Sequence, residues 1–358
     1  MTAKKRIAVL FGGRSGEHEV SLDSSRSVLD VLDPAKYEVF QVGITHDGAW
    51  LTGSDAWNAF HSASLGSLSP CTLLPSPAGP ALYTIRGAVL EHVTDLDLVF
   101  PVLHGTFGED GATQGLLELA ELPYVGAGVL GSALAMDKDV LKRVCRERGL
   151  PVVEHVVVLR SRMDLDFVCR SLSFPVFVKP ANLGSSVGIS KARNREELRA
   201  ALELAARYDR KIVVERAIDG RELECSVLGN DDPVTSRPCE VLPSREFYDY
   251  EDKYLCDSAQ FKLPAELTPA ETAEVRRLAV ECYRAAECEG MARVDFFLEQ
   301  GTGRIYISEL NTIPGFTSIS MFPRMWASDG MAYRSLIDRL IQLALERHEA
   351  RKATRYSR

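Results

Sequence analysis

The chain has 358 residues, more than a single hydrophobic core usually serves, and 26% of them are charged, the balance of an ordinary globular protein. A net charge of −8 argues against general affinity for nucleic acid, and no uninterrupted apolar run is long enough to span a bilayer. Eight scattered cysteines with no Cys-x-x-Cys pair read as reduced, mostly buried thiols. The opening MTAKKRIAVLF has no small-residue cleavage site, so it reads as the first strand of a cytosolic protein.

Residues 6–11 are an apolar strand that runs into GGRSGEHEVS (12–21). Val28, Leu29, Val31 and Leu32 repeat at helical spacing and stop at Asp33-Pro34, and residues 38–44 are the next strand. This strand, glycine-rich turn, helix, strand unit opens a parallel sheet. The turn lacks the spacing of a Walker loop or a dinucleotide fingerprint, but its glycines admit a ligand close to the backbone. Glu17 there suits an ammonium group; it serves equally well as a first-turn helix carboxylate. Residues 53–80, rich in Ser, Pro and Gly, read as a surface excursion. Residues 96–103 are a strongly apolar strand that delivers His104 and HGTFGEDG (104–111) to its carboxyl end, where open α/β sheets collect ligands. A satisfied structural histidine is the other reading. Residues 112–122 read as a helix and 123–125 as a short strand.

A boundary region starts at Gly126-Ala127-Gly128. Residues 132–136 and 137–149 are helical, and Lys138 stands at a helix start, where a cation calls for an opposing anion. Strands follow at 155–159 and 175–180. The second carries Lys179 and leads into NLGSSVG (182–188), whose small residues, hydroxyls and backbone N–H groups suit polyphosphate oxygens. A hairpin tip is the alternative. Residues 196–207 are an amphipathic helix and 211–215 a strand, closed by Glu215, Arg216, Ala217 and Ile218, with Glu222 soon after. Such an edge can read adenine and ribose hydroxyls, although a charge-protected sheet edge is the simpler reading of these residues alone. PSREFYDYEDKYLCD (243–257) interleaves aromatics and charges and reads either as a lid carrying Lys253 or as an amphipathic surface segment. Residues 268–287 and 333–347 are helices, and the basic tail 351–358 is expected to be disordered.

Residues 291–321, MARVDFFLEQGTGRIYISELNTIPGFTSISM, hold two strands (291–298 and 304–309) joined by a Gly-Thr-Gly turn, then a long irregular loop. Asp295 and Glu309 fall in apolar runs, where an unpaired carboxylate is costly. With Asn311 they make an oxygen donor set that suits Mg²⁺. An internal network of Arg293, Asp295 and Glu309 would satisfy the charges as well.

GGRSGEHEVS, HGTFGEDG, MDKDV (136–140), VKPANLGSSVGISK (178–191), FYDYEDKY (247–254), ARVDFF (292–297) and ELNTIPGFTSIS (309–320) follow one another over almost the whole chain. In that order they resemble the D-alanine–D-alanine ligases of the ATP-grasp superfamily. The resemblance implies an α/β fold, α+β in its ATP-binding part. A parallel-sheet domain (1–130) supplies part of the amino-acid site. A central domain (131–225) and a C-terminal domain with lid and metal site (226–358) clasp ATP. It also implies a cytoplasmic homodimer acting on D-alanine and ATP, with no nucleic acid or membrane partner, and two Mg²⁺ ions replaceable by Mn²⁺.

By the same resemblance, Lys138 and Lys179 hold the α- and β-phosphates, Lys253 reaches the γ-phosphate, and backbone N–H groups of Ser185 and Ser186 cover phosphate oxygens. Glu215 and Glu222, with the backbone of Arg216, Ala217 and Ile218, bind adenosine; Asp295, Glu309 and Asn311 hold the metal. Glu17 takes the ammonium of the first D-alanine and His104 lies near its carboxylate. Ser320 and Lys253 take the carboxylate of the second. Arg293 and the Gly315 N–H serve the oxyanion, and Tyr254, Ser185 and Glu17 form a hydrogen-bonded triad. The implied reaction turns one D-alanine into an acyl phosphate, which the amine of the second attacks, giving the dipeptide of peptidoglycan precursors. Tyr254 points to D-alanine as acceptor. A ligase using D-serine or D-lactate is the enzyme alternative. A nucleotide-binding regulator without catalysis is the alternative of another class, and it lacks support because Arg293, Lys253 and the metal donors are all present. Ala217, where some relatives carry a large aromatic, and Met321 beside Ser320 are departures that bear on affinity or subsite shape.

Overall fold

A computed structural model describes residues 3–242, 260–317 and 319–355. Lys253, Tyr254 and the rest of the expected lid lie outside them. The first unit is as the pattern requires: β1 (Lys5–Gly12), α1 (His18–Val31) and β2 (Tyr37–Ile44), with β1 and β2 parallel and Ile7 opposite Val39. Next come β3 (Trp50–Thr52), α2 (Ala56–His61), β4 (Ser69–Leu73), β5 (Ala81–Arg86), β6 (Val89–Asp95), β7 (Leu98–Pro101) and α3 (Ala112–Leu119). The sheet runs β6-β5-β4-β3-β2-β1-β7, with β1 parallel to both its neighbours and an antiparallel extension beyond β2. Tyr124 adds a parallel bridge to Val99.

The expected surface excursion at 53–80 is therefore corrected, since it contains a helix and a strand. Trp57 and Phe60 turn inward from α2: the Trp57 indole donates to the Leu22 carbonyl at 2.8 Å, and Phe60 meets Phe11 edge-on. Gly43 makes room for Phe60, because a β-carbon there would lie 2.2 Å from its ring.

The helices α4 (Val129–Met136) and α5 (Lys138–Glu147) are separated at Asp137, whose carboxylate accepts the Asp139 and Val140 N–H groups and caps α5. The second sheet holds β8 (His155–Leu159), β9 (Val176–Pro180), β10 (Ser190–Ala192) and β11 (Lys211–Arg216), antiparallel in the order β10-β9-β11-β8. It packs on α6 (Leu165–Ser171) and α7 (Arg195–Ala205) through residues such as Val168, Leu198 and Leu202.

The third sheet comprises β12 (Gly220–Leu228), β13 (Val234–Thr235), β14 (Cys239–Leu242), β15 (Gln260–Lys262), β16 (Met291–Glu299) and β17 (Ile305–Asn311). Its order is β15-β14-β12-β16-β17, with β13 paired to β12. The chain changes sheets between Arg216 and Gly220, ahead of the boundary expected at 225. Alternation sorts the faces. Leu223, Cys225, Val294 and Phe296 pack on α5 and on α8 (Pro269–Ala285), while Glu222, Glu224, Arg293 and Asp295 face the other way.

The chain ends with α9 (Met321–Ser328) and α10 (Tyr333–Lys352). Leu336, Ile337, Leu340 and Ile341 of α10 join Ile7, Val9 and Phe100 in one core, so the last helix returns to the first sheet. Arg351 and Lys352, expected to belong to a disordered tail, are helical, and Arg351 pairs with Glu118. The seven described cysteines are free thiols, six of them buried. No described helix is long and apolar enough to cross a membrane.

Candidate active site

A cleft of about 750 Å³ opens between the second and third sheets. Lys179 of β9 and Glu215 of β11 line one wall; Arg293 and Asp295 of β16 and Glu309 of β17 line the other, with the 216–222 link across the end. The Lys179 ammonium meets Glu215 Oε2 at 2.8 Å, and Lys142 of α5 meets Oε1 at 3.1 Å. Burial pushes the Glu215 carboxyl up, but the two lysines outweigh it and hold the group at about 2. Burial alone would lower the Lys179 ammonium; Glu215 more than reverses this and raises it. Lys138 donates to the Leu183 carbonyl at 2.8 Å and lies 3.5 Å from Glu309, the anion its helix-start position calls for.

Glu309 reaches the cleft through an irregularity in the sheet. Asp295 pairs with Glu309 and Phe296 with Ile307, so Ser308 is an extra residue on β17. Without that bulge, Glu309 would share the apolar face of Ile305 and Ile307; with it, Glu309 and Asn311 turn to the cleft and Leu310 to the core. Arg293 grips Asp295 with two bonds of 2.7 and 2.6 Å and lies 3.4 Å from Glu224, so the expected ion-pair network exists in part. The Asn311 amide nitrogen donates to Asp295 at 3.0 Å, leaving its oxygen outside that bond. Asp295 and Glu309 stand opposite each other, so two carboxylates and an amide share one patch, an all-oxygen set that fits Mg²⁺. Among the described residues no three His, Cys, Asp or Glu gather as a metal group; the third donor here is an amide.

The Gly184–Ser186 loop reaches back to the first sheet. The Ser185 hydroxyl donates to Glu17, and a β-carbon on Gly184 would sit 2.6 Å from the same carboxylate. Ser185 and Ser186 both hold left-handed backbone (φ 50° and 58°), a strained pair of the kind that turns successive N–H groups to one side. His104 is buried. Its Nδ1 lies 2.9 Å from the Ile313 carbonyl, which can only accept, so the proton is on Nδ1 and Nε2 accepts from the Ser24 hydroxyl at 3.0 Å. Burial lowers its pKa and keeps the ring neutral. Both nitrogens are thus engaged, and the ring braces the 312–316 loop from behind.

Ser24 also accepts from the Phe316 N–H, and the Ser320 hydroxyl meets the Thr317 N–H at 3.0 Å, folding the loop tightly around Gly315. A side chain at Gly315 would sit 2.6 Å from the Ser320 hydroxyl. Arg216 turns away to Glu299 at 2.8 Å, leaving backbone at the cleft end, where Ala217 N–H donates to the Pro175 carbonyl. Glu222, Ala217 and Ile218 line that end.

Sequence reasoning missed Lys142, Glu224 and Glu109. Lys142 stands one helical turn after Lys138, which was a usable signal. Glu224 shares the cleft face with Glu222 on a strand unassigned from sequence. Glu109 accepts the Gly105 and Ile313 N–H groups at 2.7 and 3.0 Å. Burial and nearby Glu17 still push its carboxyl up to about 8.

Two family descriptions match the chain, "D-ala D-ala ligase N-terminus" over residues 6–127 and "D-ala D-ala ligase C-terminus" over 144–342. A D-alanine–D-alanine ligase of Solibacter usitatus (strain Ellin6076) is 58% identical over 99% of this chain and all of its own length. The structure of the D-alanine–D-alanine ligase from Coxiella burnetii is 37% identical with a TM-score of 0.86, covering 98% of this chain and 96% of that one. The VanG D-Ala:D-Ser ligase from Enterococcus faecalis is 36% identical with a TM-score of 0.87, covering 96% of this chain and all of its own. With this cleft, these strands and this likeness from end to end, the chain belongs to the D-alanine–D-alanine ligase family of ATP-grasp enzymes.

Proposed function

We propose that this enzyme condenses two D-alanine molecules into D-alanyl-D-alanine for cell-wall precursors while converting ATP to ADP and phosphate. The observation that carries the reading is the cleft in which Lys179 shares the lining with Asp295 and Glu309, with Lys138 3.5 Å from Glu309 and a serine loop tied to Glu17. Glu17 receives the ammonium of the first D-alanine, with neutral His104 bracing the subsite. The carboxylate oxygen of that D-alanine attacks the γ-phosphorus and ADP leaves, giving an acyl phosphate. The neutral amine of the second D-alanine then attacks the acyl carbon, and the tetrahedral state gives the amide as the nitrogen loses a proton and phosphate departs. Arg293 and the Gly315 N–H donate to the oxyanion of that state.

Lys138, Lys179 and the Ser185–Ser186 backbone hold phosphate oxygens, and Glu215 and Glu222 with the 216–218 backbone take adenosine. Lys253 and Tyr254 close the site from the lid, and Ser320 with Lys253 receives the second carboxylate. Asp295, Glu309 and Asn311 would hold Mg²⁺, which when bound neutralises phosphate charge. The enzyme works in the cytoplasm as a homodimer, a reading supported by exposed Leu119 and Leu130 on neighbouring α3 and α4.

The test offers D-alanine, D-serine and D-lactate together with ATP and Mg²⁺ over a pH series. D-alanyl-D-alanine is expected to dominate. Folded, ATP-binding protein that forms no dipeptide would refute the reading. Predominant D-alanyl-D-serine would favour the second reading, which the likeness to a D-Ala:D-Ser ligase supports.

A further inference from the structure

Lys142 has no part in the chemistry above, yet its side chain is fully buried directly behind the cleft. An ammonium in such a place carries a heavy desolvation cost unless it is paired and hydrogen-bonded. Lys142 Nζ has both kinds of partner: the Ser308 carbonyl at 2.6 Å and Glu215 Oε1 at 3.1 Å. The carbonyl belongs to the bulge residue that turns Glu309 to the cleft. The other Glu215 oxygen holds Lys179 at 2.8 Å. Two ammonium groups and one carboxylate leave one net positive charge on this wall. If Lys142 were absent, Glu215 and Lys179 would form a closed, neutral pair. An ion triad is a poor way simply to hold a fold together, since well-packed apolar side chains do so at least as well.

We propose that Lys142 is a positioning residue for the nucleotide: by binding one oxygen of Glu215 it keeps that carboxylate from neutralising Lys179, so the cleft retains a positive charge for the phosphates. The inference rests on the assignment of Lys179 to phosphate. The readout is the ratio of the adenosine to the ADP dissociation constant of the full-length enzyme, which isolates what the phosphates contribute. Lys142→Met is expected to lower this ratio roughly tenfold, the size of one lost charge at short range in a partly screened site. The catalytic rate at saturating ATP should change far less.

Adding Glu215→Gln to Lys142→Met removes the neutralising carboxylate and should restore the ratio, a rescue that a purely structural role would not produce. Should Lys142→Met not fold, the comparison of Glu215→Gln with the double variant replaces it; the ratio again falls roughly tenfold as one charge is lost. An unchanged ratio in either comparison, or a double variant no better than folded Lys142→Met, overturns the inference. Lys179→Met separates the two levels. If it leaves the ratio unchanged, the phosphate assignment itself fails. If it collapses the ratio while Lys142→Met does not, only the role of Lys142 fails.

Discussion

Arg293 shows how one side chain can be held by the fold and remain available to the reaction. Its fork is fixed by Asp295 at 2.6 and 2.7 Å, with Glu224 at 3.4 Å. Truncation would take the guanidinium away from buried Glu224 and half-buried Asp295, so Arg293→Ala would confound stability with catalysis. Arg293→Lys keeps the charge and loses the fork. That variant is expected to fold and to lose about 100-fold or more in kcat, as measured by phosphate release at saturating substrates. Glu215 yields a prediction about acid. Its carboxyl titrates near 4.5 when unprotected and at about 2 in the fold, so the unfolded chain binds more protons between those values. The stability it contributes, about 3 kcal/mol, is therefore full above pH 4.5 and drains away as the pH falls toward 2. In urea melts, the stability gap between the parent and Glu215→Gln should narrow steadily over that window.

Elements that bury continuous apolar faces were legible from their spacing: β1, α1, β2, β9, α7 and α8. The start of α8 is written in its first residues, where Thr268 accepts the Glu271 N–H and Glu271 accepts the Thr268 N–H at 2.8 Å. Thr268→Ala should lower stability by about 1 kcal/mol in denaturant melts and leave the Michaelis constant for ATP unchanged. Elements with a polar face toward the cleft were harder to see. Strand β12 reads GRELECSVL, and its charges mask the strand pattern, although Leu223, Cys225 and Val227 alternate into the core. Helix α2 has only six residues, too few for a period to emerge, and Trp57 and Phe60 were its sole markers. The bulge at Ser308 was also written in the sequence, because Ile305 and Ile307 share a parity that Leu310 breaks.

At the scale of the molecule, the candidate site draws on all three sheets, and this was the least legible part. Nothing in local spacing tells that Ser185 bonds Glu17, 168 positions away, or that Lys142 lies behind Glu215. The order of motifs supplied that information through the resemblance. The first sheet depends on the chain's far end in a similar way. Ile7, Val9 and Phe100 are covered by Leu336, Leu340 and Ile341, while Lys36 and Tyr37 bind Asp338 at 2.7 and 2.8 Å. A fragment of residues 1–130 is therefore expected to bind a hydrophobic dye and to lack a cooperative melt, whereas the full chain melts cooperatively. A cooperatively folded fragment would show that α10 is dispensable.

The return of α10 also sets the order of events during synthesis. Ribosomes deliver the amino end first, and domains usually fold as they emerge. Here a sheet of residues 5–101 waits for a helix at 333–352, so a face that α1 and α2 cover only in part stays sticky until α10 emerges. Nascent copies on a crowded polysome would be open to mispairing with each other until α10 is made, and chaperone supply would govern yield more than the stability of the finished enzyme.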